Sequence, residues 1–470
     1  MPTKAKPEAL YKALSAELKS SILTGSLRWG ERLPSKRAMA SEKKLSLITV
    51  QNAYELLAAE GFIRGEERRG YYVTYSGRLL VPDKPVMPPA SDRSGILYDF
   101  KSASTAAEGF PFYTWTRLMR EILTEKDTRL LAAIDPKGVP ELRCEIAKQL
   151  AIMRGIYCSP EQIIIGAGSE YLVGLVYQLL GRKIYAFENP GFTKAAKIYA
   201  KSGAELNFIP TDGEGIRADL IRADPRLEAV HVTPSHSFPL GTVMSPRRRS
   251  ELLEWVAASP ERRIIEDDFD SEFRYDGRTY PSLYSLDRSD RVVYMNTFTR
   301  TLAPSMRIGY MVLPPKLLEE FERGFMFYSS TVPAMEQYVL ARFIADGSFV
   351  RHINRMRRIY LRRRDTLARE LKEHFGDKIE ILGTEAGVHL LVRLSGGLLE
   401  SEIIDAARGV GILLSGISEY IPDGSGDVLF SNALVLNFAG IGEDDIRAAV
   451  RLLAGKTVEK KFELSQKARE

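Results

Sequence analysis

Residues 291–314 read RVVYMNTFTRTLAPSMRIGYMVLP. Two short apolar runs, VVYM and GYMVLP, flank a polar turn that carries Thr297, Thr299, Arg300 and Arg307. Runs this short, apolar at successive positions, predict strands covered on both faces rather than amphipathic helices. The pattern repeats upstream in QIIIGAG (162–168), IYAFENPG (184–191), AVHVTPSH (229–236) and RIIEDD (263–268), with helical stretches between. From about residue 99 the chain is therefore expected to be α/β, with a mainly parallel sheet between helix layers. Ligands of such sheets gather at the carboxyl ends of the strands. Polar groups stand at those ends: the Gly166-Ala167-Gly168-Ser169 corner, suited to a phosphate, then Thr233-Pro234-Ser235-His236, Glu266-Asp267-Asp268 and Thr297-Phe298-Thr299-Arg300.

The first 75 residues read differently. Leu10, Leu14, Leu18 and Ile22 share one helical face, and Gly25 stands where that helix would stop. Ser35 after Pro34 caps a short second helix with Met39 and Ala40 turned inward. A third helix is expected from Ser46 to Gly61, burying Val50, Ala53, Tyr54 and Leu57. FIRGEERRGYYVTY (62–75) reads as a hairpin with a basic tip. Three helices and a basic hairpin make a winged helix-turn-helix, a plan that places the third helix in a DNA major groove. Lys36, Arg37, Lys43 and Lys44 suit phosphates, as do the hydroxyls of Ser35 and Thr49 at helix starts. Gln51 and Asn52, or apolar contact with thymine methyls, would read bases, and Arg64, Arg68 and Arg69 decorate the wing. Residues 76–98 hold four prolines without periodicity and read as a tether.

The chain has 470 residues, 27% of them charged, with a formal net charge of +5. Its two cysteines, Cys144 and Cys158, cannot staple a chain of this length, which fits a reducing compartment. No apolar run of membrane-spanning length and no leader-like N-terminus is evident, so a cytoplasmic protein is expected.

The N-terminal segment resembles the GntR winged helices in Gly25-x-Leu27, Leu33-Pro34-Ser35-x-Arg37, Thr49-Val50, Ala53-Tyr54 and Tyr71-Tyr72-Val73. The remainder resembles fold-type I aminotransferases of the MocR regulator branch. The ordered blocks that carry this resemblance are Asp135-Pro136-x-Gly138, Thr233 to Gly241, Glu266 to Phe273, Thr297 to Tyr310, and Arg351 to Arg357. It implies a pyridoxal 5'-phosphate fold assembled as a homodimer. The expected domains are a DNA-binding domain (1–75), the tether (76–98), a large domain (99–345) and a smaller α+β domain (346–470).

The resemblance also assigns a pocket. Asp267 would face the pyridinium nitrogen, Ser169, Thr297, Thr299 and Arg307 would cup the phosphate, and His236 and Arg300 would complete the cofactor-binding set. The family lysine that anchors the cofactor as an internal aldimine falls on Arg300, and no lysine occurs between Lys201 and Lys316. A guanidinium stays protonated and cannot attack an aldehyde. The family tyrosine falls on Phe269, a family glutamine on Ser237, and the usual substrate-carboxylate arginine on about Val435. An arginine two residues before Thr49 is Leu47 here. The arginine-rich stretch 351–364 reads as a solvated or interface face. These features lead to a DNA-binding regulator that senses an anionic or amino-acid-like effector, with the cofactor bound non-covalently at most. No catalytic residue and no metal site is assigned. Two alternatives remain: an aminotransferase carrying a DNA-binding arm, and a regulator whose fold only dimerises.

Overall fold

The computed structural model describes residues 7–67, 69–75, 95–102, 104–275, 280–422 and 431–467. The chain divides into two compact units, Met1–Asp92 and Arg93–Glu470.

In the first unit, helices Pro7–Leu23, Lys36–Lys43 and Leu47–Ala59 precede an antiparallel hairpin of Ile63–Glu66 with Gly70–Val73. The helices form where their apolar spacing allows one face to be buried. Leu14, Leu18 and Ile22 pack with Met39, Val50, Ala53, Tyr54 and Leu57 in one core, while Leu10 stays at the edge, 36% exposed. Ser35 and Ser46 cap the second and third helices, each hydroxyl accepting from a backbone amide three residues on, Ala38 and Thr49, at 3.1 Å. The buried Tyr54 ring anchors the turn, its hydroxyl donating to the Pro34 carbonyl at 2.8 Å.

The second unit is built on an eight-stranded sheet. Its spatial order is Ile163–Gly166, Gly309–Val312, Val292–Thr297, Arg263–Asp267, Ala229–Val232, Ile184–Asn189, Glu205–Asp212 and Gly215–Ile216. The five strands from Val292–Thr297 to Glu205–Asp212 run parallel. Gly309–Val312 is antiparallel to both neighbours, and Gly215–Ile216 closes the far edge as a hairpin. Central positions such as Ile164, Val230, Ile264, Val293 and Met311 are almost fully buried, which is why these runs lack polar alternation. Strand Glu205–Asp212 escapes the sequence reading because its residues are mixed and mostly half-buried.

A four-stranded sheet follows, ordered Ile379–Leu382, His389–Leu394, Ala433–Asn437 and Ser415–Gly416, against the 28-residue helix Ser348–Phe375 and the C-terminal helix Glu443–Lys467. Of the stretch read as a tether, residues 76–94 lie outside the described residues. The amides of Leu97 and Tyr98 already donate to the Gly411 carbonyl, so these two belong to the second unit.

Candidate functional site

The carboxyl ends of strands Arg263–Asp267 and Val292–Thr297 open on a cavity of about 230 Å³. Its wall is made of Ser169, Asp267, Thr297, Thr299, Arg300 and Arg307, joined by Glu170, Lys194 and the rings of Phe192, Phe238 and Phe269.

Each polar group is held by its element. Ser169 opens the helix Ser169–Leu180 after Gly168, whose φ of 87° turns the chain. A Cβ at Gly168 would lie 2.7 Å from Arg307 Nη2, so the guanidinium lies across a backbone that only glycine supplies here. Arg307 itself takes φ 47° after the turn Pro304–Met306, an αL position that swings its side chain back to the helix start. The Thr297 hydroxyl donates to the Ile308 carbonyl at 3.1 Å and accepts from the Thr299 amide at 3.2 Å, and the two threonine hydroxyls are 2.7 Å apart.

Asp267 is buried, with one carboxylate oxygen 3.7 Å from His231 Nε2, too far for a hydrogen bond. His231 is itself buried and stacked on Phe187, with neither ring nitrogen hydrogen-bonded. Burial lowers the pKa of Arg300 and is opposed by the charge of Asp270, Tyr360 and Tyr420.

His236 does not line the cavity. It sits behind Phe269, ring centroids 6.4 Å apart, with Nδ1 2.9 Å from Asp270 Oδ2. His389 packs on it at 4.6 Å, and burial, then His236 and Arg300, hold the His389 pKa well below the usual imidazole range. Gly387 closes on this cluster so tightly that an added Cβ would lie 1.9 Å from the His236 ring. His236 is therefore a packed, hydrogen-bonded residue beside the cavity.

Two charged residues of the wall escaped the sequence reading. Glu170 hydrogen-bonds through its carboxylate with both Arg307 and Lys194. Its pKa is lowered chiefly by the Lys194 hydrogen bond, with Arg307 adding to it against a desolvation penalty. Lys194, in the helix Thr193–Lys201, brings a primary amine to the wall. Glu170 was visible as the residue next to Ser169, but its partner lies 137 positions away.

Beneath the sheet end, Arg154 reaches Asp268 at 2.8 Å, and Asp268 also accepts from Tyr294 and Ser271. Burial alone would lower the Arg154 pKa; Asp268, Tyr294, Glu266 and Glu272 outweigh it and raise the value. The arginines of 351–364 serve the structure in several places. Arg357 donates to the Glu272 carbonyl, Arg364 to the Thr384 carbonyl, and Arg363 is buried against Glu108 and the Ala439 carbonyl.

In the N-terminal unit, Ser35 and Arg37 are exposed and Lys36 lies 5.4 Å over the Tyr71 ring. Thr49 differs from its sequence expectation: it is 6% exposed, its hydroxyl 2.7 Å from that of Ser46, because the capping geometry turns it inward. Gln51 donates to Glu55 at 2.9 Å and Asn52 is exposed. Leu47 and Ile48 face solvent, 45% and 72% exposed. On the wing, Arg64 and Arg69 both approach Glu66, at 2.8 and 3.9 Å; Arg68 lies outside the described residues.

Residues 10–73 match the family of bacterial regulatory proteins, gntR family, and residues 106–452 match aminotransferase class I and II. An uncharacterized HTH-type transcriptional regulator of Bacillus subtilis, YhdI, is 36% identical over 452 residues, 94% of this chain and 95% of its own. The probable rhizopine catabolism regulatory protein MocR of Rhizobium meliloti is 31% identical, covering 94% of this chain and 93% of its own. The pyridoxine biosynthesis regulator PdxR of Corynebacterium glutamicum is 27% identical, with 94% of each chain covered. Among solved structures, a multiple substrate aminotransferase from Thermococcus profundus superimposes with a TM-score of 0.70 at 25% identity, over 80% of this chain and 97% of that one.

Proposed function

Because the chain belongs to the MocR family, in which a gntR-type DNA-binding domain precedes an aminotransferase class I and II domain, we propose that it is a transcription regulator controlled by an anionic effector held without a covalent anchor. The first half of this reading, regulation through DNA, is the family's function. The second half rests on the cavity, where two arginines, threonine hydroxyls and a buried carboxylate converge.

Pyridoxal 5'-phosphate fits the donor set of that wall. Ser169, Thr299 and Arg307 suit a phosphate, through hydroxyl contacts and a guanidinium fork. Asp267, a buried carboxylate on the cavity wall, suits a charged ring nitrogen. When bound, the cofactor supplies an electron-withdrawing ring and an aldehyde. The chain's own residues would hold and neutralise it: Asp267 at the strand end, Arg307 after the turn Pro304–Met306, and the rings of Phe192 and Phe269 on the wall. Position 300 offers a guanidinium, which has no lone pair for carbonyl attack at working pH. Phe269 offers no phenol. These two residues support sensing over transamination. Another phosphorylated or carboxylate effector uses the same groups.

The surface of the second unit supports a homodimer. Phe112, Tyr113, Leu131 and Phe327 are 67–89% exposed, apolar side chains that a second copy would cover. Residues 99–345 and 346–470 are read as its two lobes. Paired DNA-binding units would then contact two half-sites, in the cytoplasm, with effector binding changing their spacing. Among the described residues no helix is long and apolar enough to cross a membrane.

The deciding experiment is a thermal shift with pyridoxal 5'-phosphate, followed by borohydride and intact-mass measurement. The expected result is a raised melting temperature with an unchanged mass. A reduced adduct at any residue, Lys194 included, or turnover of an amino acid overturns the reading.

A further inference from the structure

We propose that Glu170 is a built-in occupant of the anion site, with which an entering phosphate group competes for Arg307 and Lys194, and that it tunes the cavity toward phosphate monoesters over singly charged ligands. The inference rests on the reading of the cavity as an anion site.

The geometry is that of a competitor. Glu170 follows Ser169 directly in the first turn of helix Ser169–Leu180, where backbone amides and the helix dipole favour a negative charge. Its carboxylate holds the Arg307 guanidinium on one side and the Lys194 ammonium on the other. All three side chains line the same cavity as Ser169, Thr299 and Arg300. Arg307 cannot retreat toward the helix start without meeting Gly168. Glu170 holds Arg307 Nη2 and the Lys194 ammonium, so a ligand oxygen that takes those donors takes the place of a Glu170 oxygen.

Charge decides which ligands succeed. Glu170 offers one negative charge on two oxygens, and its pairs are a third to nearly two-thirds exposed, so they are individually weak. A phosphate monoester brings nearly two charges and three acceptor oxygens, enough to engage Arg307, Lys194 and the Thr299 hydroxyl together. A ligand carboxylate brings no more than Glu170 already supplies and gains little by exchange. Once displaced, Glu170 remains close and repels the bound anion, so the phosphate affinity of the native protein is lower than its arginines alone would give.

Glu170→Gln tests this, since the amide keeps the shape and removes the charge. Binding of inorganic phosphate, pyridoxal 5'-phosphate and pyridoxal is measured by calorimetry on the full-length native protein and the variant. The expected result is a tenfold or greater tightening for inorganic phosphate and pyridoxal 5'-phosphate, with pyridoxal, which lacks the phosphate, changed less than twofold. Equal phosphate affinity in the two proteins, weaker binding by the variant, or an equal gain for pyridoxal overturns the role of Glu170 alone. Failure of both proteins to bind any phosphate overturns the anion-site reading and this inference with it. The variant's melting temperature without ligand separates a folding defect from a binding effect, and Glu170→Asp, which shortens the reach to Arg307 but keeps the charge, is expected to fall between the two.

Discussion

Glu188 illustrates how a single buried side chain sets a pH dependence. It stands next to last in the strand Ile184–Asn189, is 4% exposed, and accepts from the amide and hydroxyl of Thr233 at 3.1 and 2.6 Å. Burial pushes its pKa from 4.5 up to about 7, against those hydrogen bonds. The folded form therefore keeps a proton that the unfolded chain releases near pH 4.5. The associated stability is fully present below that pH, is lost as pH rises toward about 7, and changes little beyond. Glu188→Gln keeps the acceptor toward Thr233 and titrates nowhere. The stability of the variant relative to native, followed by thermal or denaturant unfolding, is expected to rise between pH 5 and pH 8, with a ceiling of about 3 kcal/mol. A difference independent of pH would refute the buried-proton account.

At the scale of the element, the recognition helix Leu47–Ala59 shows a division of labour. Val50, Ala53, Tyr54 and Leu57 fix it to the core, and Ser46 fixes its start. The capping that makes the helix also turns Thr49 inward, so the exposed turn offers Leu47 and Ile48 beside Gln51 and Asn52. An isoleucine 72% exposed there gains by covering a thymine methyl in the groove. Replacing the contacted thymine by deoxyuridine in a selected half-site removes one methyl, worth about 0.8 kcal/mol or roughly fourfold in affinity. That loss is expected for the native protein and absent in Ile48→Ala. Electrophoretic shifts with the four protein–DNA combinations check it, and equal losses for both proteins would exclude Ile48 as the reader.

For the whole molecule, the prediction concerns assembly. Leu131 is 89% exposed, and Leu131→Asp places a charge on a surface proposed to be covered in the dimer. Sedimentation is expected to show a shift toward monomer, and operator binding to lose its second half-site, while the N-terminal unit, with its own core, keeps its fold. An unchanged dimer would place the interface elsewhere.

Much of this protein is written in local sequence. The central strands Ile163–Gly166, Ile184–Asn189, Ala229–Val232, Arg263–Asp267, Val292–Thr297 and Gly309–Val312 were legible because burial on both faces leaves continuous apolar runs, and the winged helix because Ser35 and Ser46 act within a few residues of their own turns. Ser169, Asp267, Thr297, Thr299 and Arg300 were legible as lining one cavity because parallel strands deliver their carboxyl ends to one edge, and Arg307 joins them from the start of the antiparallel Gly309–Val312. Tertiary structure alone decided the antiparallel course of Gly309–Val312, the retreat of His236 to Asp270, the inward turn of Thr49, and the meeting of Glu170 with Arg307 and Lys194. Apart from Thr49, which its local cap turns inward, those outcomes depend on which group from another element arrives at a charge or an edge. Spacing along the chain carries hydrophobic period and capping, but it does not carry the position of a partner more than a hundred residues away.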